Sequence, residues 1–262
     1  MKTSWGAVAS WYDSVVNDKD SYQSRVILPN VLRLIAPKRG DKILDLACGQ
    51  GFFSHALAAE GAFVTGIDVA PELIDIARTH AVHKQEFFVA SAENLKPFAD
   101  KSFDAAVCIL AIQNIERMAL AFKEVARVLK PGGKLVLVLN HPTFRIPGKT
   151  SWGFDEGKNL TTGASKKTGI VQYRRIDEYM SESRAAIDMN PGTTAAVKKE
   201  TTYSFHRPLQ VYSKNLANAG LAIKRLEEWL SHRESEAGPR KAAEDKARKE
   251  IPLFMCLECV KL

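Results

Sequence analysis

The chain has 262 residues, of which 45% are hydrophobic and 26% charged, a balance typical of a globular domain. It has no apolar run of about eighteen residues and no apolar core of a secretory signal near its start, so we expect a cytoplasmic protein without a membrane span. The net charge of +7 is uneven, because residues 1–140 carry 16 Lys and Arg against 15 Asp and Glu, whereas residues 141–262 carry 21 against 15. The basic half could face nucleic acid or an anionic small molecule.

Residues 1–36 are predicted to form a helical lid that precedes the core. One helix is expected over residues 5–16 and another over 24–35, where apolar residues recur at helical spacing. The polar connector between the two helices contains Tyr22, and the first helix contains Tyr12. Two interpretations of these tyrosines stay open: they pack against the sheet, or they fold over a ligand.

The most informative stretch is residues 42–68. An apolar run typical of a buried parallel strand leads to a turn with Gly49 and Gly51, then to a helical segment and a second apolar run that ends on Asp68. Glycines let a backbone approach a ligand, and an acid at the strand tip can accept hydrogen bonds from both ribose hydroxyls. Asp68 follows Gly51 by seventeen residues, near the ~20 expected of ribose-binding acids. This pattern favours a nucleoside site over an ordinary strand–helix–strand crossover.

Details of the turn argue against a dinucleotide. In a G-x-G-x-x-G turn the pyrophosphate rests on the helix start, but here Ser54 stands at the third glycine position. The bulky side chains of Phe52 and Phe53 also crowd that helix start. Asp45, inside the first strand, would repel a pyrophosphate but suits a cation.

Residues 45–51, Asp-Leu-Ala-Cys-Gly-Gln-Gly, resemble the first motif, D-x-A/G-x-G-x-G, of the class I S-adenosylmethionine-dependent methyltransferases. The resemblance implies that the turn passes the methionine part of S-adenosylmethionine, with Asp45 near its ammonium and Asp68 at its ribose. It also implies an N-terminal segment folded over the cofactor. The cofactor-binding residues expected on this basis are Tyr12, Asp45, Ala47, Gly49, Gly51, Phe52, Asp68, Val69, Ser91, Ala92, Glu93, Ile109 and Gln113.

The next elements continue the helix–strand alternation. A helix is predicted over residues 71–83 and a third strand over 86–90, followed by Ser91. Relatives usually carry an acid at this position, where it contacts the adenine amino group, so Ser91 is a departure, although its hydroxyl can still accept a hydrogen bond. A fourth strand, 105–109, leads to a loop that in the family borders cofactor and acceptor. That loop lacks the N/D-P-P-Y/F motif common in enzymes that methylate nucleic-acid amines.

A helix over residues 117–129, a Lys-Pro-Gly-Gly turn and a fifth strand over 135–139 complete the predicted core segment 37–140. The alternation then breaks down in 141–206, which we interpret as an inserted substrate cap with a small antiparallel β element. Its two strand-like segments are 171–176 and 201–206. Residues 207–262 are expected to return to the core with a helix, a strand, a charged segment containing a short helix, and a last strand.

The resemblance therefore implies a doubly wound, three-layer α/β/α fold with a seven-stranded, mostly parallel sheet. Its last strand would be antiparallel and inserted between strands five and six. Cys256 and Cys259 have C-x-x-C spacing, but residues three apart on a strand point to opposite faces. With Cys48 and Cys108 they are predicted to be buried, reduced thiols, and no metal site is expected.

Methyl transfer from a sulfonium is an in-line displacement, in which alignment alone can contribute ~7–11 kcal/mol. A base is needed only if the acceptor loses a proton, and His141 and His206 are the candidates, although either could simply be hydrogen-bonded. Tyr22, Arg145 and Arg174 are candidate substrate residues, because arginines can clamp a carboxylate or phosphate, although they could equally be solvated.

The resulting hypothesis is a monomeric or homodimeric S-adenosylmethionine-dependent methyltransferase that acts on a small organic acceptor, with an anionic one among the options. The product would be S-adenosylhomocysteine. Two alternatives stay open: an RNA methyltransferase that uses the basic half, although nucleic acid is the less expected partner, and a non-catalytic relative that only binds the nucleoside.

Overall fold

The computed structural model describes residues 18–155, 169–189 and 201–262, together with residues 5, 6, 9 and 16 and the backbone of 160–162 and 165–167. Most of the helix predicted over residues 5–16, including Tyr12, lies outside the described residues, so this part of the lid stays a prediction. No helix among the described residues is long and apolar enough to cross a membrane.

Thirteen strands lie in the described part of the chain. They are β1 (Lys42–Leu46), β2 (Phe63–Asp68), β3 (Gln85–Val89), β4 (Phe103–Ile109), β5 (Leu129–Asn140), β6 (Thr150–Asp155), β7 (Leu160–Thr162), β8 (Ser165–Lys167), β9 (Val171–Ile176), β10 (Ser183–Asp188), β11 (Thr201–His206), β12 (Leu221–Trp229) and β13 (Phe254–Lys261). The α-helices are α1 (Leu28–Ile35), α2 (Phe52–Ala59), α3 (Pro71–Thr79), α4 (Met118–Val128), α5 (Leu209–Asn218) and α6 (Lys241–Glu250).

Seven strands form one sheet in the order β12-β13-β5-β4-β1-β2-β3. The pairs β1–β2, β1–β4, β2–β3 and β4–β5 are parallel, and β13 is antiparallel to both β5 and β12. The predicted topology, with the last strand between strands five and six, is confirmed.

Helices cover both faces of this sheet, which explains why its central strands are apolar without alternation. On one face Leu34 of α1 and Leu57 of α2 pack with Val136 and Val138 of β5. On the other face α4 and α5 pack against the remaining apolar residues of β5, with Phe122 fully buried. The result is the three-layer architecture that the sequence predicts.

The cysteines of β13 follow the strand geometry. Cys256 belongs to the core cluster on the α1 side and Cys259 to the cluster on the α4 side, so their thiols point to opposite faces. All four cysteines are free and buried, as predicted.

Several core elements differ from prediction at their boundaries, and the helix predicted over residues 71–83 ends at Thr79. The helix expected over residues 24–35 is divided into a π-helical turn, Gln23–Ile27, and α1, because Pro29 lacks the N–H that an α-helix would use there. Strand β5 begins six residues earlier than expected. Leu129 pairs with Phe103, the intervening Lys-Pro-Gly-Gly segment bulges out, and Lys134 pairs with Ala105.

The segment between β5 and α5 contains three two-stranded sheets, β6–β9, β7–β8 and β10–β11. All three are antiparallel, as the sequence predicts for the cap. The strand-like segments 171–176 and 201–206 are β9 and β11. Strands β6 and β10 were not predicted individually, because their residues are mostly half-buried or exposed and give a weak hydrophobic pattern.

Candidate active site

A cavity of about 380 Å³ lies at the carboxyl ends of β1, β2 and β4 and just beyond β3. Its volume falls within the ~300–1,000 Å³ typical of small-molecule sites. Eight predicted cofactor residues line it: Ala47, Gly49, Asp68, Val69, Ser91, Ala92, Glu93 and Ile109. Asp45, Gly51, Phe52 and Gln113 lie outside this lining.

The turn after β1 adopts a backbone that depends on glycine. Ala47, Gly49 and Gly51 have φ values of +55°, +58° and +89°. Gly51 stands at the N-terminal end of α2, and a Cβ built on it would lie 2.9 Å from His55 Nε2 and 3.2 Å from Phe87 Cε1. Both the left-handed backbone and the space therefore require glycine at this position.

Asp68 holds the turn to the end of β2. Its Oδ2 accepts a hydrogen bond from the Gly49 N–H at 3.0 Å, and its Oδ1 accepts one from the Ala70 N–H at 2.9 Å. Burial raises the pKa of Asp68, and these backbone donors partly oppose that increase. Each carboxylate oxygen has a further lone pair with which it can accept a hydrogen bond from a ligand in the cavity.

Asp45 is a second buried acid, 2% exposed, on β1. It accepts a hydrogen bond from Ser54 Oγ at 2.6 Å, and no Lys, Arg or His in the described part of the chain forms an ion pair with it. Burial raises its pKa to about 7, and the negative charge of Asp68 adds to the increase. A buried, uncompensated acid beside the glycine turn is suited to a positively charged ligand.

The segment after β3 is fixed by local hydrogen bonds. Ser91 Oγ accepts a hydrogen bond from the Glu93 N–H at 3.2 Å. The Glu93 carboxylate accepts hydrogen bonds from the Arg117 N–H at 3.1 Å and from Arg117 Nε at 2.8 Å. Glu93 therefore connects the cavity to the start of α4, and Ser91 stays available at the position where relatives carry an acid.

The loop after β4 forms another wall through Leu110, Ala111, Asn114, Ile115 and Glu116. The sequence indicated this loop as a border of the cofactor but selected Gln113 from it. Gln113 is buried and donates to the Leu110 carbonyl at 2.7 Å, while its Oε1 has no partner among the described residues. Sequence reasoning missed Trp5, Leu73 and Thr202 in the lining, and Thr202 gave no signal because it comes from the cap.

Neither histidine proposed as a base lines the cavity. The Thr143 N–H donates to His141 Nδ1 at 3.2 Å, so the neutral ring carries its proton on Nε2 and donates to Glu228 at 2.8 Å. Burial lowers the pKa of His141. His206 Nε2 donates to the Tyr179 carbonyl at 2.8 Å. Both rings hold structural hydrogen bonds, and a role as catalytic base stays a prediction for each.

The three candidate substrate residues lie together, but in a different cavity. Tyr22, Arg145 and Arg174 line a cavity of about 300 Å³ that shares no lining residue with the first. Over the described ranges, no group of three or more His, Cys, Asp or Glu is arranged to hold a metal ion.

The fold and this site define a class of protein. A seven-stranded α/β sheet with a glycine turn after β1 and an acid at the tip of β2 is the architecture of class I S-adenosylmethionine-dependent methyltransferases. Residues 44–137 match a family model described as a methyltransferase domain. The part of the chain from β1 to β5 is therefore similar to this methyltransferase domain.

Two similar proteins have names that refer to quinones. A ubiquinone biosynthesis O-methyltransferase from Xanthomonas oryzae pv. oryzae is 40% identical over 101 residues, which are 37% of this chain and 42% of that protein. A demethylmenaquinone methyltransferase from Clavibacter sepedonicus is 35% identical over 141 residues, or 50% of this chain and 57% of that protein. The chain thus spans about half the length of these curated relatives.

A solved structure is similar over more of the chain. An S-adenosylmethionine-dependent methyltransferase from Mesorhizobium loti has a TM-score of 0.63 and 25% identity, covering 88% of this chain and 96% of that one. The family model ends before the cap, so it gives no information about residues 141–206.

Proposed function

We propose that this protein transfers a methyl group from S-adenosylmethionine to a small organic acceptor. The observation that carries the proposal is Asp68, a buried acid beside a glycine turn and in the wall of the 380 Å³ cavity at the carboxyl edge of the sheet. The similarity of residues 44–137 to a methyltransferase domain supports it.

The residues present fit this cofactor in three respects. Asp68 can accept hydrogen bonds from the ribose hydroxyls, since both of its oxygens keep a lone pair. Asp45, close to the glycine turn but outside the cavity lining, is a buried acid with no cationic partner in the part of the chain that the structure describes, so its negative charge favours a cationic ligand nearby. Ser91 and Ala92 supply the wall where the adenine would lie.

When bound, the cofactor supplies a methyl group already activated on a positively charged sulfur. The task left to the protein is to align the acceptor with that methyl group and to exclude water. The loop after β4 and Thr202 of the cap form the walls available for this purpose. An acceptor that attacks without losing a proton needs no base.

A small, aromatic acceptor is the version of this proposal that we favour. Two relatives have names that refer to quinones, one to ubiquinone biosynthesis and one to demethylmenaquinone. The loop after β4 lacks the N/D-P-P-Y/F motif of enzymes that methylate nucleic-acid amines. A cytoplasmic location belongs to the same proposal, and the four free, buried cysteines support it.

Calorimetric titration with S-adenosylmethionine, S-adenosylhomocysteine and NADH tests the cofactor assignment. We expect both S-adenosyl compounds to bind and NADH not to bind, and binding of NADH alone would overturn the assignment. Methyl transfer from labelled cofactor to a panel of small phenols and quinols, with RNA in parallel, then tests the acceptor.

The basic half of the chain keeps an RNA acceptor as a second candidate. Transfer of the labelled methyl group to RNA, together with an affinity for RNA that falls steeply with salt, would establish the RNA acceptor in place of the small molecule. Tight cofactor binding without transfer to any acceptor of the panel would favour a non-catalytic role.

A further inference from the structure

The second cavity combines two arginines with flat and apolar side chains. Its volume is about 300 Å³. Its lining consists of Tyr22, Phe144, Arg145, Trp152, Arg174, Ile251, Pro252 and Leu253. Among the residues that the structure describes, no acid belongs to this lining.

Arg174 is held in place by neutral partners. Its Nε donates to the Phe144 carbonyl at 2.8 Å, and its Nη2 donates to Thr150 Oγ1 at 2.6 Å. The guanidinium carbon lies 4.9 Å from the centre of the Trp152 ring. These contacts orient the group, occupy two of its five N–H donors and leave its charge uncompensated.

Arg145 lies close enough to Arg174 to be repelled by it. Loss of hydration lowers the pKa of Arg145, Tyr22 opposes this decrease, and the charge of Arg174 makes a smaller contribution to it. The Arg145 guanidinium carbon lies 5.6 Å from the centre of the Phe254 ring. Among the described residues, no carboxylate forms an ion pair with either arginine. A bound anion would remove the repulsion and satisfy the free donors.

Neighbouring cations of the cap are paired, in contrast. Arg175, next to Arg174 on β9, forms an ion pair with Asp177 at 2.9 Å. Lys149 pairs with Glu178 at 2.6 Å. Unlike Arg145 and Arg174, these two neighbouring cations therefore have acidic partners.

The other walls are suited to a flat apolar body. The Tyr22 hydroxyl is within 2.9 Å of Ser231 Oγ, which fixes the tyrosine ring. Trp152 is 40% exposed although it lies in the cavity wall, so its indole is accessible for stacking.

Topology brings this cavity to the same edge of the sheet as the first one. Leu253 precedes β13, and its carbonyl accepts the N–H of His141 at 2.9 Å, just beyond β5. The first cavity includes Ile109 at the end of β4. Since β13, β5 and β4 are neighbours, the two cavities are separated along the edge by about two strand spacings, roughly 10 Å.

We propose that this cavity binds a carboxylate or phosphate group attached to an aromatic body, and that this group is the far end of the methyl acceptor. The second part of the inference rests on the proposed function. It narrows the acceptor to an elongated molecule with an anionic end about 10 Å from the methylated one.

The test uses three probes of one shape: 2-naphthoate, 2-naphthyl phosphate and the neutral 2-naphthamide. We expect at least one anion to bind the wild-type protein in calorimetry at least tenfold more tightly than the amide. The tighter anion identifies the group that is recognised. Equal binding of anions and amide, or no binding of any probe, would overturn the proposal.

Variants locate the binding. Arg145→Gln should weaken anion binding at least tenfold, because Arg145 makes no hydrogen bond through its side chain in the described structure and its loss leaves the cavity wall intact. Arg175→Gln is the matched control, since its partner is Asp177, and it should bind like the wild type. Anion binding that is unchanged in Arg145→Gln would contradict the proposed site.

The same samples separate this inference from the proposed function. S-adenosylhomocysteine affinity should be equal in the wild type, Arg145→Gln and Arg175→Gln. If the cofactor binds normally but the anions do not, only the present inference fails, and if the cofactor does not bind, the proposed function fails. With active acceptors, a preference for acids over their amides should be lost in Arg145→Gln, and a preserved preference would remove the link to the acceptor.

Discussion

The two cavities carry unpaired charges of opposite sign. The cavity at β1, β2 and β4 is adjacent to two buried acids, Asp45 and Asp68, and no cation pairs with Asp45 in the described residues. The cavity between the cap and β13 has two arginines and no acid in its lining. A cationic cofactor suits the first and an anionic group suits the second. The comparison indicates that each cavity is incomplete in charge until a ligand of the opposite sign enters it.

The largest expected effect concerns the burial of Asp45. Its folded-state pKa of about 7 lies above the ordinary value of 3.8, so the folded protein holds the proton more tightly than the unfolded chain. The tighter proton binding adds at most ~4 kcal/mol to the free energy of unfolding. This contribution is fully present below about pH 4 and is lost as the pH rises to about 7. Asp45→Asn should remove this dependence.

Denaturant unfolding of the wild type and Asp45→Asn at intervals from pH 4 to pH 8, without cofactor, measures this difference. The variant should gain stability relative to the wild type as the pH rises, with no further change above about pH 7 to 8. A difference in stability that stays constant with pH would show that burial does not raise the pKa of Asp45. The contrast between an acidic and a basic cavity would then no longer hold.

Loss of the Asp68 carboxylate should weaken cofactor binding. Asp68→Ala removes charge-assisted hydrogen bonds to the ribose, which are worth ~1.5–3 kcal/mol, or about a 10- to 150-fold loss of affinity. Calorimetry with S-adenosylhomocysteine measures this loss. Asp75→Ala is the control, because Asp75 is an exposed acid on α3 whose one ion pair in the described part of the chain is with Arg78. Unchanged affinity in Asp68→Ala would mean that the ribose does not lie at Asp68.

Gly51→Ala should distort the turn that separates Asp45 from the first cavity. The left-handed backbone costs a non-glycine residue ~1–2 kcal/mol, and the contacts with His55 and Phe87 add to this cost. We expect a lower free energy of unfolding together with weaker cofactor binding. Gly238→Ala, where a Cβ would meet nothing within 4 Å, should leave both unchanged.

The smallest predicted effect concerns the hydrogen bonds that join the core to the cap. Asn114 Nδ2 donates to the Tyr203 carbonyl of β11 at 2.9 Å, and the Arg207 guanidinium donates to the carbonyls of Ile115 and Glu116. These bonds hold β11, and with it Thr202, against the first cavity. Asn114→Ala should cost ~0.5–1.5 kcal/mol.

Hydrogen exchange locates that loss. Protection should fall in β10 and β11 and stay unchanged in β1 and β2. Asn215→Ala removes a similar amide-to-carbonyl hydrogen bond within α5, to Val211, and should leave exchange in the cap unaltered. Equal exchange in the cap of Asn114→Ala and wild type would show that this bond does not hold the two parts together.

The sequence identified eight of the seventeen residues that line the first cavity, because this part of the site depends on local rules. A strand followed by a glycine turn places Ala47 and Gly49, and the next strand places Asp68, since the carboxyl ends of parallel strands meet at one edge. Gln113 and Thr202 mark the limits of this reasoning. Which residue of a short loop faces a cavity depends on the loop's rotation, and a contact from the cap depends on packing between distant segments.

The sequence by itself determined which strands are buried on both faces and where the glycine turn lies. It also determined that the thiols of Cys256 and Cys259 point in different directions. It also supplied Tyr22, Arg145 and Arg174 as a list of separate candidates. Only the tertiary structure decided that these three share a cavity and that His141 and His206 are engaged in hydrogen bonds elsewhere. Periodicity follows from backbone geometry within one element, whereas the partners of a side chain depend on how elements far apart in the chain pack together.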